Sequence, residues 1–370
     1  VEEMLKAQPI DACVVIGGCD KTVPAQLMGI ASANIPSIEL VTGPMLAMPF
    51  EGEQLGACTD CRRFWGKYRA GEISDISINE IEGKLATTAG SCAVMGTAST
   101  MACITEVLGM SLPGSAAIPA VHADRLRLAE ACGERAMEMA VSGAPLPEEI
   151  ITPKAIENAL RVLLAISGST NAVVHLAAIA GRRGIELSLD EINRISDETP
   201  VLVNLKPTGE HYMQDLFAAG GLTAVLHELK HQLNLDCLTV TGETLGDWLS
   251  ENPKWVDRDV IRDFNNPYQK EGGLIALFGT LAPTGAILKR AAADADFFER
   301  TGRAVVFESL EDLSNRIDSD DLDVSSDDFL LLKNAGPKSE SCMPEAGYLP
   351  IPKKLAAKGV KDMVRISDAR

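Results

Sequence analysis

The chain has 370 residues, enough for a large core and, by size, about two domains. A content of 46% hydrophobic and 23% charged residues is ordinary for a folded globular protein and excludes a disordered one. Acidic residues outnumber basic ones 52 to 34, for a net charge of −18, which argues against a nucleic-acid surface because phosphates require a basic footprint.

With that charge, an anionic substrate has to be drawn by local cations, and a bound metal would supply them. Nine cysteines are too sparse for a disulfide scaffold, and an odd count leaves one thiol without an internal partner, so a reducing, cytoplasmic setting is expected. No apolar run approaches the ~20 residues of a membrane span. The opening Val1 to Lys6 reads as part of an amphipathic helix rather than a signal peptide, since charge precedes any apolar run.

In chain order, Val14-Val15-Ile16 reads as a short buried strand that ends at Gly17-Gly18. Thr22 and Pro24 mark a helix start, with the helix running to about Ser32 and a second strand at Ser37 to Val41. A helical connection between two such strands predicts a parallel, right-handed crossover. Cys19, Asp20 and Lys21 then fall on a loop at the carboxyl end of a strand, where open α/β sheets bind ligands. Each has an ordinary reading as well: a small buried hydrophobe, a helix cap and a solvated amine. The glycine pair lacks the Gly-Lys-Ser/Thr ending of a phosphate loop.

Cys58-Thr59-Asp60-Cys61 is the chain's Cys-x-x-Cys, a pattern shared by zinc half-sites and redox pairs. No second pair completes a zinc site, and the stretch reads as a loop near the active site, where Arg62, Arg63 and Lys67 are available to an anion. Cys92 follows Gly90-Ser91 near a predicted helix start, whose amides would favour a thiolate. Cys103, inside that helix, reads as core.

Ala123 to Val141 is an amphipathic helix with Leu126, Ala129, Ala136 and Ala140 on its apolar face, closing at Gly143. Thr152-Pro153 opens another, burying Ile156, Leu160, Leu163 and Leu164. Ser169, Thr170 and Asn171 precede a further helix and serve either as caps or as contacts to an anion, with capping favoured. His175 reads as an interior or site-wall histidine, and Ser188 with Glu191 as a capping box. Trp248 to Gln269 reads as a polar connection between domains. Short strands are predicted beyond it at Gly272–Phe278, Arg303–Phe307, Phe329–Leu332 and Met363–Ile366, with a helix from Ser309. The acidic run from Asp318 to Asp328 lacks the pattern of a calcium loop.

The segments Gly17-Gly18-Cys19-Asp20-Lys21-Thr22, Pro24 to Gly29 and Thr42-Gly43-Pro44-Met45 closely resemble the dihydroxy-acid and sugar-acid dehydratase family. So do Glu82-Gly83-Lys84, Thr88 to Cys92, Met95 to Met101, Ser167 to Asn171 with His175, and Met343-Pro344-Glu345. The run from Cys58 to Glu72 resembles the sugar-acid branch, the aldonate dehydratases. The resemblance implies an α/β fold: a three-layer αβα domain with a parallel sheet over residues 1–268 and a smaller β-rich, swivelling β-barrel-like domain over 269–370, both incomplete in this chain.

It also implies a hydro-lyase that converts an aldonate to a 2-keto-3-deoxy acid with an iron-sulfur cluster and Mg²⁺. By motif position, Cys19 and Cys92 resemble two of the three cluster thiolates; such a set serves [2Fe-2S], the favoured form, or [4Fe-4S]. Asp20, a carbamylated Lys21 and Glu345 resemble the Mg²⁺ ligands, while Ser169, Thr170, Asn171 and His175 are candidates to meet substrate. Soft thiolates for iron beside hard oxygens for Mg²⁺ give three adjacent, dissimilar residues one chemical logic. The family places one more cysteine and an acidic ligand upstream of the matched residues, and a general-base serine just beyond Arg370. The chain is therefore expected to be the interior of a longer protein, a homodimer or homotetramer acting on a small molecule, with neither nucleic acid nor membrane as partner. Three rivals remain: the branched-chain dihydroxy-acid dehydratase, with the same chemistry; a non-catalytic iron-sulfur or thiol-redox protein using Cys58 and Cys61; and an inactive truncated binding protein.

Overall fold

The computed structural model describes residues 1–250, 255–336 and 348–369. They form two compact units, one of Val1–Thr59 with Ala86–Ala292 and one of Asp60–Leu85 with Ala293–Arg370. Both are mixed α/β.

In the first unit, strands Cys13–Gly17 and Ser37–Val41 pair in parallel, Val15 opposite Glu39, joined by the helix Thr22–Ala33. That is the predicted parallel pairing through a helical connection. Asn34, in the left-handed region at φ 54, ends the helix by giving its amide to Ile30, and the chain turns into the second strand. Helix Thr22–Ala33 packs on Asn171–Arg182, and Thr97–Val107 on Pro153–Ala165. Leu27, Ile30, Ile38, Met101, Ile104, Leu160 and Leu163 fill the space between them. Each such aliphatic side chain contributes roughly 1.5–3 kcal/mol when fully buried.

Every residue of Thr97–Val107 is buried, Cys103 included, because Ala98, Ser99 and Ala102 are small enough to admit neighbouring helices closely. Thr152 caps Pro153–Ala165 by accepting from the Ala155 amide, and Ser188 accepts from Glu191.

Three local expectations are corrected. The helix Ala123–Ser142 forms and closes on Gly143 at φ 70, with Ala129 and Ala136 packed on the core as expected, but its fully buried residues are Arg125, Cys132 and Met139, while Leu126 is 77% exposed. A buried arginine moves the inward face by about one position. Residues 255–269 are not a polar linker: Val260 and Ile261 are buried in the first unit's core, and bridges join Val203 to Ile261 and Val201 to Gln269. The stretch after Cys58 is a helix, Thr59–Ala70, rather than a loop; Arg63 pairs with Asp60 one turn back at 3.0 Å, and Phe64 is buried.

The second unit holds a three-stranded parallel sheet in the order Ala304–Phe307, Phe329–Leu332, Arg365–Ser367. Phe307, Leu330, Leu332, Leu313 and Met363 make its core. The helix Leu310–Arg316 starts on Ser309, whose hydroxyl accepts from the Asp312 amide. Among the described residues no helix is long and apolar enough to cross a membrane.

Candidate metal and substrate site

Three loops of the first unit meet at the carboxyl ends of its two parallel strands. The first is the Gly17 to Lys21 turn. A Cβ on Gly18 would lie 2.0 Å from the Thr42 hydroxyl, and one on Gly17 would lie 2.2 Å from Gln26 Oε1 and 2.6 Å from Glu39 Oε1. Only glycines let this turn close so tightly on the second loop, Thr42 to Met45.

The third loop carries Cys92 and is tied to the second through the backbone. Ser91 donates its amide to Gly43 at 3.0 Å, and Met45 donates to Ser91 at 2.8 Å. Gly90, at φ 135, passes so near that a Cβ would sit 2.4 Å from the Met45 nitrogen. The second loop is in turn held by Arg125, which donates to the carbonyls of Val41 at 2.6 Å, Ser115 at 2.9 Å and Ile118. Burial lowers this guanidinium to about 10, so it remains a cation at neutral pH.

On that frame Cys19 is exposed, and its thiol lies 3.4 Å from Asp20 Oδ1. Lys21 Nζ lies 3.0 Å from Asp20 Oδ2, both side chains partly open to solvent. Cys92 is half-buried, with its sulfur 2.9 Å from that of Cys58. Its thiol is pushed well up by the hydrogen bond with Cys58, then by burial, and further by the nearby Cys58, Cys19 and Asp20. Cys19 is raised as well, by burial first and by Asp20. Grouping sulfurs and a carboxylate disfavours the thiolate forms here.

Cys92 does not gain help from a helix end. The helix begins only at Thr97, five residues on, and the thiol is raised rather than lowered, contrary to expectation.

The other sequence candidates divide sharply. Ser169 and Asn171 are buried, at 5% and 3% exposure, and are engaged with the start of another helix. The Ser169 and Thr97 hydroxyls are 2.8 Å apart, Asn171 Nδ2 donates to Thr97 Oγ1 at 3.2 Å, and the Ser169 amide donates to Thr100 Oγ1 at 3.0 Å. Thr170 occupies the cap position of the helix Asn171–Arg182 without a side-chain cap bond; Ser169 Oγ accepts the Asn171 amide instead. His175 is half-buried within that helix. Glu345, with Met343 and Pro344, lies outside the described residues. Among the described residues no three His, Cys, Asp or Glu side chains form a complete metal site. Cys19, Asp20 and Cys92 carry soft and hard donors of the kinds that iron and magnesium take, but by themselves they do not close around a metal ion.

Sequence reasoning missed the partner of Cys58, because sulfurs 34 positions apart carry no local pattern. It also missed Arg125, although a lone arginine seven and fourteen residues before Cys132 and Met139 shares their helical face. Glu39 was missed too: fully buried, with neither carboxylate oxygen hydrogen-bonded among the described residues, it is pushed up by burial to about 9.

The chain matches two family models, the dihydroxy-acid/6-phosphogluconate dehydratase N-terminal domain over residues 1–248 and the corresponding C-terminal domain over 259–370. It is 45% identical over 372 residues to an L-arabinonate dehydratase from Rhizobium leguminosarum and 46% identical over 373 residues to an L-arabonate dehydratase from Azospirillum brasilense. Both matches cover 100% of this chain and 64% of the relative. A dihydroxy-acid dehydratase from Acetivibrio thermocellus is 41% identical over 372 residues, 100% of this chain and 66% of the relative.

Proposed function

This chain belongs to the dihydroxy-acid/6-phosphogluconate dehydratase family, and from that premise we propose that the protein is a hydro-lyase removing water from an aldonate to give a 2-keto-3-deoxy acid. The chain spans 64% of the length of the aldonate dehydratases it matches, and further ligands come from outside the described residues. The observation that carries the reading is the meeting of Cys19 and Asp20 on one open turn with Cys92 on a loop stitched beside it.

Cys19 Sγ and Cys92 Sγ would hold an iron-sulfur cluster, read as [2Fe-2S], and Asp20 with Lys21 would hold Mg²⁺ together with Glu345. When bound, such groups supply Lewis acidity toward a leaving hydroxyl and a carboxylate. Lys21 now faces Asp20 as an amine at 3.0 Å. Carbamylation joins its deprotonated nitrogen to the carbon of CO₂, releases a proton and turns the residue into a second anionic oxygen donor beside Asp20. The Gly17-Gly18 turn keeps Cys19 and Asp20 facing out, and Arg125 fixes the loop behind them.

The run from Cys58 to Glu72 and the identities of 45% and 46% to aldonate dehydratases, against 41% for the dihydroxy-acid dehydratase, support the sugar-acid assignment. By the same membership the first unit is read as an αβα domain and the second as swivelling and barrel-like. The protein is read as a cytoplasmic homodimer or homotetramer that binds no nucleic acid or membrane.

The test is anaerobic iron and sulfide analysis of the protein, with assays on a panel of aldonates and on 2,3-dihydroxyisovalerate. Bound cluster and aldonate turnover are expected. Turnover of the branched substrate alone would reverse the substrate choice, and activity unchanged in Lys21→Ala would reverse the site.

A further inference from the structure

Cys58 does not sit where a cysteine of a Cys-x-x-Cys pair is looked for. Its sulfur is 2.9 Å from that of Cys92, 34 residues away and within the same compact unit. The approach is built rather than incidental. Cys58 is held at φ 74, the left-handed region that non-glycine residues seldom occupy. Gly56, two residues earlier, lies so close to the Tyr212 ring that a Cβ there would be 2.7 Å from it. Ala57 and Cys92 both pack on the small cluster of Met45, Ala47, Ala93, Val94 and Tyr212. The Tyr212 hydroxyl donates to Gln54 O at 2.6 Å, anchoring the strand that leads to Cys58. Both sulfurs are thus brought together from backbones that are separately fixed.

Two thiolates on one tetrahedral metal with bonds of about 2.3 Å stand roughly 3.8 Å apart. A separation of 2.9 Å lies between that value and the ~2.05 Å of a disulfide. We propose that Cys58 and Cys92 are a disulfide-forming pair, an oxidation site that competes with metal for the Cys92 sulfur.

With hydrogen peroxide as oxidant, the exposed Cys58 reacts first. Its thiolate sulfur attacks a peroxide oxygen, the O–O bond breaks, and a sulfenic acid and hydroxide result. The Cys92 sulfur then displaces hydroxide from the sulfenic sulfur, forming the S–S bond. Two thiols lose two electrons and two protons, and one peroxide becomes two waters. Oxidised, Cys92 has no thiolate to offer iron; this consequence, unlike the pair itself, rests on the assignment of Cys92 as a cluster ligand.

The test uses the purified protein as isolated and after iron chelation, each treated with peroxide, blocked with N-ethylmaleimide, digested with trypsin and mapped by mass spectrometry. A link between the peptides spanning residues 22–62 and 85–125, reversed by dithiothreitol, is expected in the chelated wild type and in Cys61→Ser. It is expected to vanish in Cys58→Ser and Cys92→Ser. No link in the chelated protein, persistence in Cys58→Ser, or a bond between Cys58 and Cys61 instead would overturn the pair. In the second arm, uptake of ferrous iron and sulfide is read from visible absorbance. Oxidised wild type is expected to take up at least tenfold less than reduced protein, while Cys58→Ser is indifferent to peroxide. A link that leaves uptake unchanged overturns Cys92 as a ligand and spares the pair; a missing link does the reverse.

Discussion

Two turns in the first unit look alike in sequence and differ in what they do with their polar groups. Gly17 to Lys21 and Ser167 to Asn171 each pass through glycine into a helix, and each offers side chains suited to a ligand. The first leaves Cys19 exposed and sets Asp20 3.4 Å from its thiol and 3.0 Å from Lys21 Nζ, with Asp20 and Lys21 partly open to solvent. The second buries Ser169 and Asn171 and ties both to Thr97. Hydroxyls and amides that are buried and mutually bonded are a fastening between helices, whereas the dissimilar donors gathered at a strand end are where the proposed binding site falls.

The contrast breaks most visibly at the open turn. Asp20→Asn is expected to lower aldonate turnover by at least a hundredfold while leaving the melting midpoint of the metal-free protein nearly unchanged, read by coupled assay and circular dichroism. A large loss of stability with activity retained would exchange the roles of the two turns.

A sharper test lies just beneath that turn. Glu39 titrates at about 9 in the fold against an ordinary 4.5. Below pH 4.5 both folded and unfolded chains carry the proton; between 4.5 and about 9 only the folded one does, so stability falls as pH rises through that window. The loss from pH 5 to pH 8 should reach roughly 2–4 kcal/mol from this group. Glu39→Gln is expected to remove that part of the slope in denaturant melts; an unchanged slope would show that the carboxyl is ionised in the fold.

The smallest effect belongs to the fastening. Thr97→Val removes the hydroxyl shared by Ser169 and Asn171 and should cost about 1–3 kcal/mol in urea unfolding, with iron content unchanged. Loss of iron at unaltered stability would make the second turn part of the site.

Much of this was legible along the chain. The crossover, the caps at Thr152, Ser188 and Ser309, and the strands at Ala304–Phe307 and Phe329–Leu332 follow from local pattern. So does the placement of Cys19 and Asp20 at a strand end. What escaped depends on distant partners. The helical state of Thr59–Ala70 rests on one buried face of a mostly polar stretch, where propensity is a weak guide. Residues 255–269 are rich in turn formers, yet Ile261 is wholly buried, so composition misjudged a segment that pairs with strand-like residues far upstream. The charge at Glu39 obeys no apolar periodicity and is intelligible only once its surroundings are assembled, whereas Arg125 was signalled only by its helical register with Cys132 and Met139.

The Arg125 clasp has a bearing on how the protein is made. Its bond to Val41 spans 84 positions, and the pairing of Pro44 with Ser91 spans nearly fifty. Both loops must close before Cys92 comes alongside Cys19, and long closures come late because their entropy is spent before any contact repays it. If Cys19 and Cys92 hold a cluster as proposed, loading is expected to follow collapse, because a nascent chain offered iron earlier would present only whichever sulfurs were nearest in sequence.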